Sequence, residues 1–126
     1  MKPTVLYIED HPDNMTLVRR ILHPNTYNLI EAKTGLQGLS IAESQVPDLI
    51  LLDINLPDMD GYEITRRLRS STNCAVSQMP IIAVTANALK GDSQKAIEAG
   101  CDAYFSKPID INEPLETVKL FVCKNI

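Results

Sequence analysis

The sequence predicts an α/β domain whose sheet is parallel and covered by helices on both faces. Three observations predict it. Short apolar runs alternate with helical patterns five times, without linker, repeat or low-complexity tract. The central run, Leu49-Ile50-Leu51-Leu52, lacks polar alternation, as a strand covered on both faces should. Four runs also end in residues suited to phosphate chemistry: Glu9-Asp10, Asp53, Thr85 and Lys107. Parallel strands share one carboxyl edge, and ligands of open α/β sheets bind in the crevice there.

The elements follow in order. Thr4 to Ile8 is the first strand, and Asp13 to His23 reads as a helix with i,i+4 pairs Leu17/Ile21 and Val18/Leu22, stopped by Pro24. His23 at its carboxyl end suits the helix dipole better than catalysis. Tyr27 to Ala32 is the second strand. Gly35 to Gln45 is a helix with Leu36, Leu39 and Ala42 expected inward, ended by Pro47. Asp48 to Asp53 is the third strand. Gly61 to Ser70 is a helix with Ile64 and Leu68 inward and Arg66, Arg67 and Arg69 expected in solvent. Residues 71–79 read as a polar loop before a strand from Pro80 to Thr85. A helix over Ala88 to Ala99 carries Gly91, which costs about 1 kcal/mol relative to alanine, and only a thin stripe of Leu89, Ala96 and Ile97. Asp102 to Ser106 is the fifth strand. The last helix runs from about Asn112 to Lys124, with Leu115, Val118 and Val122 in register and Pro114 in its first turn.

Composition narrows the function. The 126 residues fit one domain, with 44% hydrophobic and 22% charged residues. A net charge of −4 gives no basic field for nucleic acid. Part of the acidity is local, at Glu9, Asp10, Asp13, Asp53, Asp58 and Asp60, and is expected to mark a cation site. No run approaches the roughly 20 apolar residues of a membrane span. Met1-Lys2-Pro3 leads straight into a strand, leaving no room for a signal peptide. Cys74, Cys101 and Cys123 form neither a CxxC nor an even disulfide set, so a reducing cytoplasm is the expected setting. They have no zinc-site spacing with His11 or His23.

Chemistry enters where the strand ends converge. At an effective dielectric of about 20, each close pair among Glu9, Asp10 and Asp53 costs about 4 kcal/mol in repulsion. Such a site must take up protons or bind a cation, and an all-oxygen donor set suits Mg²⁺, or Mn²⁺, better than zinc or copper. A cation and the Lys107 ammonium flanking a carboxylate would suit an incoming phosphoryl group. Thr85 and the backbone N–H of Ala86 could donate to its oxygens. Taken singly, each residue has an ordinary reading as a cap, a turn former or a loop lysine. Their coincidence at one edge does not.

The residues resemble the receiver domain of two-component response regulators along nearly the whole chain. The matching segments are Val5-Leu6-Tyr7-Ile8-Glu9-Asp10, Pro47-Asp48-Leu49-Ile50-Leu51-Leu52-Asp53, Leu56-Pro57-Asp58-Met59-Asp60-Gly61, Pro80-Ile81-Ile82-Ala83-Val84-Thr85-Ala86 and Gly100-Cys101-Asp102-Ala103-Tyr104-Phe105-Ser106-Lys107-Pro108. Asn14-Met15 and the run from Thr85 to Asp92 look similar to single-domain regulators of the DivK type. The resemblance implies a flavodoxin-like (βα)5 fold with strand order 2-1-3-4-5, and one receiver domain over residues 1–126 with no output domain. It implies Asp53 as phosphoacceptor. Mg²⁺ would be held by Asp10 and Asp53, by Glu9 through water, and by the backbone carbonyl of Asn55. Glu9 stands where Asp is often found. Thr85 becomes the switch hydroxyl, Lys107 its ion-pair partner, Tyr104 the switch aromatic and Lys107-Pro108 a cis peptide. The partners implied are a histidine kinase or histidine phosphotransfer protein, touching Asn14, Leu17 and Pro108, and a downstream protein on the surface from Asn87 to Val122. A monomeric, non-enzymatic switch is expected.

Three other readings compete. A phosphatase of the haloacid dehalogenase type would need a general acid two residues after the nucleophile, where this chain has Asn55. A flavin binder would need phosphate-cradling amides after the first strand, where Glu9-Asp10-His11-Pro12 stands instead. The Met1 start and short tail favour a stand-alone regulator over a receiver cut from a hybrid kinase.

Overall fold

The computed structural model describes residues 3–22, 27–85 and 92–106. Its strands are β1 (Thr4–Ile8), β2 (Asn28–Ala32), β3 (Leu49–Asp53), β4 (Ile81–Thr85) and β5 (Ala103–Ser106). They pair in parallel in the order β2-β1-β3-β4-β5. That is the order implied by the resemblance, and β3 is buried at all five positions, as its unbroken apolar run requires.

The helices are α1 (Pro12–Ile21), α2 (Gly35–Gln45), α3 (Gly61–Arg69), the one-turn α4 (Cys74–Ser77) and α5 (Asp92–Ala99). Strand alternation sorts the core into two layers. Leu6, Ile8, Ile50 and Leu52 pack under α2, α3, α4 and α5 through Ala42, Ile64, Leu68, Val76 and Ala96. Val5, Tyr7, Leu49 and Leu51 pack on the other face under Met15, Val18 and Ile21 of α1. Leu17, read both as a partner contact and as core, packs partly buried at the margin of that second layer. His23, residues 86–91, Lys107, Pro108 and the predicted last helix lie outside the described residues.

Local chemistry explains most boundaries. His11 caps α1, its Nδ1 accepting from the amide of Asp13 at 3.3 Å, and Pro12 sits in the first turn, where no N–H is needed. The helix therefore begins one residue before the expected Asp13. Thr34 caps α2 by accepting from Gln37 N at 3.1 Å. The polar stretch 71–79 is not all loop. Asn73 accepts from Ala75 N at 3.0 Å and starts α4, which buries Val76.

Three expected orientations are corrected. Leu36 is 60% exposed, because α2 turns Gly35, Gly38 and Ala42 to the sheet and carries Leu36 around to solvent. Ile97 is 52% exposed, leaving Ala96 as the buried contact of α5. Arg69 is not a solvated arginine. Its Nε donates to Gly100 O at 2.9 Å, its Nη1 to Ser77 O at 3.0 Å and Met79 O at 2.6 Å, and its Nη2 to Asp102 Oδ2 at 2.8 Å. Asp102 Oδ2 also accepts from Ile81 N at 2.8 Å, so one guanidinium joins α3, α4, β4 and the α5–β5 turn.

The local acidity divides by role as well. Asp60 caps α3 through Glu63 N at 2.8 Å, and Asp13 lies in the first turn of α1. Asp58, in the β3–α3 loop, accepts from Gly35 N at 2.8 Å and Leu36 N at 3.0 Å, capping α2 across the fold. The Gly35 amide, aided by that of Leu36, holds the Asp58 carboxyl below the usual carboxylate range. A lowered folded-state pKa stabilises the protein above the unfolded value of about 4, and this contribution is lost as pH falls through the folded one. Because Asp58 is solvent-screened, Asp58→Ala is expected to cost only about 1 kcal/mol at neutral pH. The loss should shrink on acidification below pH ~4, which urea melts at the two pH values would check. An undiminished loss in acid would contradict the charge-based account.

Candidate functional site

β1 and β3 are neighbours, with Ile8 opposite Leu52. Glu9 continues the ladder by donating its N–H to Ala32 O at 2.9 Å, while Asp53 closes β3 opposite Val84. Alternation puts Tyr7, Glu9 and Asp53 on the face covered by α1. The outcome is a group of three acids, Glu9, Asp10 and Asp53, whose ligand oxygens lie within 4.8 Å of one another. Glu9 is 1% exposed and Asp53 2%, while Asp10 faces solvent. Among the described residues this is the one group of His, Cys, Asp or Glu arranged to hold a metal ion. Of the six local acids in the sequence, these three assemble.

Neighbouring donors orient the buried carboxylates. Asn14 Nδ2, in the first turn of α1, donates to Glu9 Oε1. Asn55 N donates to Asp53 Oδ1 at 3.1 Å, and Asn55 forms an isolated bridge with Asp60 that folds the loop back over the strand end. Sequence reasoning singled out Asn14 through the family resemblance and as a partner contact, not as a donor to Glu9. Its position four residues after Asp10, at a helix start, was the available signal. Desolvation, reinforced by Glu9 and Asp53, raises the Tyr7 phenol far above its ordinary pKa, so it keeps its proton.

The remaining predicted residues divide. The Thr85 backbone ends β4, opposite Ser106 and one step past Val84. Tyr104, on β5, pairs with Ala83 of β4 and is 38% exposed. Ala86, Lys107 and Pro108 fall outside the described residues. A groove of about 160 Å³ runs from Glu9 and Asp10 past Thr16 and Arg19 to Lys33. A larger cleft, about 360 Å³, lies at the opposite sheet edge between Pro47, Asp48 and Pro80, away from the acids.

A three-carboxylate pocket of this kind offers hard oxygen donors only, and its buried anions call for a cation. Among the described residues no helix is long and apolar enough to cross a membrane. Comparison with known proteins gives the context. The chain is 39% identical over 122 residues to the polar-differentiation response regulator DivK of Brucella ovis, covering 97% of this chain and 98% of that protein. The DivK of Brucella anthropi matches to the same extent. Among solved structures, the receiver domain of the sensor histidine kinase PA1611 from Pseudomonas aeruginosa, with a magnesium ion coordinated in its active site cleft, superposes with a TM-score of 0.88 at 35% identity. That match covers 98% of this chain and 99% of the other. A CheY-like receiver protein from Methanospirillum hungatei gives 0.84 at 29%, over 98% and 96%. The family model of the response regulator receiver domain matches residues 5–119. With its acid-tipped parallel sheet and these relatives, the chain belongs to the receiver domains of two-component response regulators.

Proposed function

We propose that the protein is a stand-alone phosphorylation switch in which Asp53 accepts a phosphoryl group from a phosphohistidine on a histidine kinase or histidine phosphotransfer protein. The observation that carries this reading is the meeting of Glu9, Asp10 and Asp53 within 4.8 Å at one sheet edge. The donor set fits Mg²⁺ or Mn²⁺, held by Asp10, Asp53 and the Asn55 carbonyl, with Glu9 acting through water. When bound, the ion supplies positive charge that offsets the repulsion among the carboxylates and the phosphoryl oxygens.

The chain's own groups do the rest. Asn55 N–H fixes the rotation of the Asp53 carboxylate, which attacks phosphorus as an O–P bond forms and the donor's P–N bond breaks, its electron pair leaving with the imidazole. Lys107 and the Ala86 amide stabilise the oxygens. Phosphorylation leaves a charge of about −1.5 to −2 on the side chain. Thr85 and Lys107 engage it only in the active arrangement, which supplies the differential free energy a population shift requires. Tyr104 then repacks with the surface from Asn87 to Val122, and the output is altered binding of a downstream protein. The reading assigns residues 1–126 to one receiver domain without an output domain, supported by the 98% coverage of the DivK relative. Its expected setting is the cytoplasm, as a monomer.

The likeness to the PA1611 receiver favours a second reading, a receiver module of a hybrid kinase. Intact mass after incubation with Mg²⁺ and acetyl phosphate tests the phosphoacceptor under both. The wild type should gain one phosphoryl mass and Asp53→Asn none. Equal labelling of both would overturn the assignment of Asp53.

A further inference from the structure

The Tyr7 side chain is wholly buried, at 0% exposure, and among the described residues its hydroxyl has no hydrogen-bond partner. A buried hydroxyl in that state costs stability that phenylalanine would avoid in the same space. Its location suggests what the hydroxyl is for. Tyr7 lies two residues before Glu9 on β1, and its register partner Leu51 lies two residues before Asp53 on β3. All four side chains therefore share the face under α1, with the phenol one step below the two buried carboxylates. Met15 and Val18 roof the space, and Phe105 packs in the same layer, so bulk water does not reach the phenol.

Two carboxylates bring four acceptor oxygens into this corner, with Asn14 Nδ2 and Asn55 N–H among their donors. A neutral phenol adds the donor chemistry that such a corner can use. Successive same-face residues of a strand stand about 6.6 Å apart, a gap that one water closes when the side chains lean together.

We infer that Tyr7 is a positioning residue for the cation site, its hydroxyl donating through one buried water to the carboxylates of Glu9 and Asp53. The inference rests on the cation reading proposed for those acids. Tyr7 sets the angle of the carboxylates from below, as outer-shell partners do for metal ligands, where their loss typically weakens affinity 10- to 100-fold.

The test is calorimetric titration of the full chain with MgCl₂, comparing wild type with Tyr7→Phe, together with thermal melts. Tyr7→Phe should remain folded and bind Mg²⁺ about tenfold more weakly. Affinity within twofold of wild type, at any stability, would assign Tyr7 to the core alone and overturn the inference. A spectroscopic measurement does not depend on that variant folding. In a chain with Tyr27, Tyr62 and Tyr104 replaced by phenylalanine, the near-ultraviolet difference spectrum on adding Mg²⁺ belongs to Tyr7, the remaining one of four tyrosines. A tyrosine signal that saturates with the calorimetric affinity supports the role, and a flat spectrum despite Mg²⁺ binding overturns it. A wild type that takes up no Mg²⁺ overturns the cation reading itself, and this inference with it.

Discussion

Arg69→Ala is expected to destabilise the domain by about 3 kcal/mol, more than any other single surface-facing substitution. The guanidinium serves three backbone carbonyls and one carboxylate, and its side chain is only 23% exposed. Alanine leaves the carbonyls of Gly100, Ser77 and Met79 short of a donor, and Asp102 keeps only Ile81 N of the two partners described here. Exposed pairs such as Arg66–Glu63 are worth far less, because water replaces what is lost. Arg69→Lys should recover less than half of the loss, since an ammonium lacks the planar fork that reaches several acceptors at once. Urea denaturation of the three proteins measures this. A change under about 0.5 kcal/mol for Arg69→Ala would show that the network contributes nothing net.

Gly61→Ala is expected to damage stability and phosphorylation together. A Cβ on Gly61 would stand 2.8 Å from Ile54 Cα and 3.1 Å from Asp53 O, both backbone atoms that cannot rotate aside. Gly61 N also donates to Ile54 O at 2.9 Å, so the glycine is held in close approach to the strand end bearing Asp53, the proposed phosphoacceptor. Overpacking of this kind costs roughly 1–3 kcal/mol, and the helix propensity gained by alanine returns up to about 1. The larger effect should be on chemistry. Relief of the clash moves the Asp53 backbone, and small misplacements of a reacting group cost on the order of tenfold or more in rate. Labelling by acetyl phosphate, measured beside a thermal melt, checks both. Wild-type labelling in a folded Gly61→Ala protein would mean that the strand end adapts without consequence.

The readable and unreadable parts of this chain differ in physical kind. Strands show as apolar runs because burial on two faces leaves no room for polar alternation, and Glu9, Asp10 and Asp53 show because they stop those runs. Strand order has no such local signal, so it came from family resemblance. Asp58 misleads because its partners are amides more than 20 residues away, in α2, and an amide carries no side-chain signature. Arg69 misleads for the same reason: three of its four acceptors are carbonyls that any residue could supply. Leu36 misleads because two glycines, invisible to a count of apolar residues, decide which side of α2 meets the sheet. Tyr7 reads as an ordinary strand residue until register places it beneath the acids.

The staple made by Arg69 and the acid trio sit at opposite rims of a sheet whose central strand, β3, is five residues long, or about 17 Å. Over that span the interaction of two unit charges falls to about 1 kcal/mol at an effective dielectric of about 20. A charge arriving at one rim is therefore weakly sensed at the other. The clamp on the turn after α5 should hold with equal strength whether or not Asp53 carries a phosphoryl group, giving α5 the same bearing in either case.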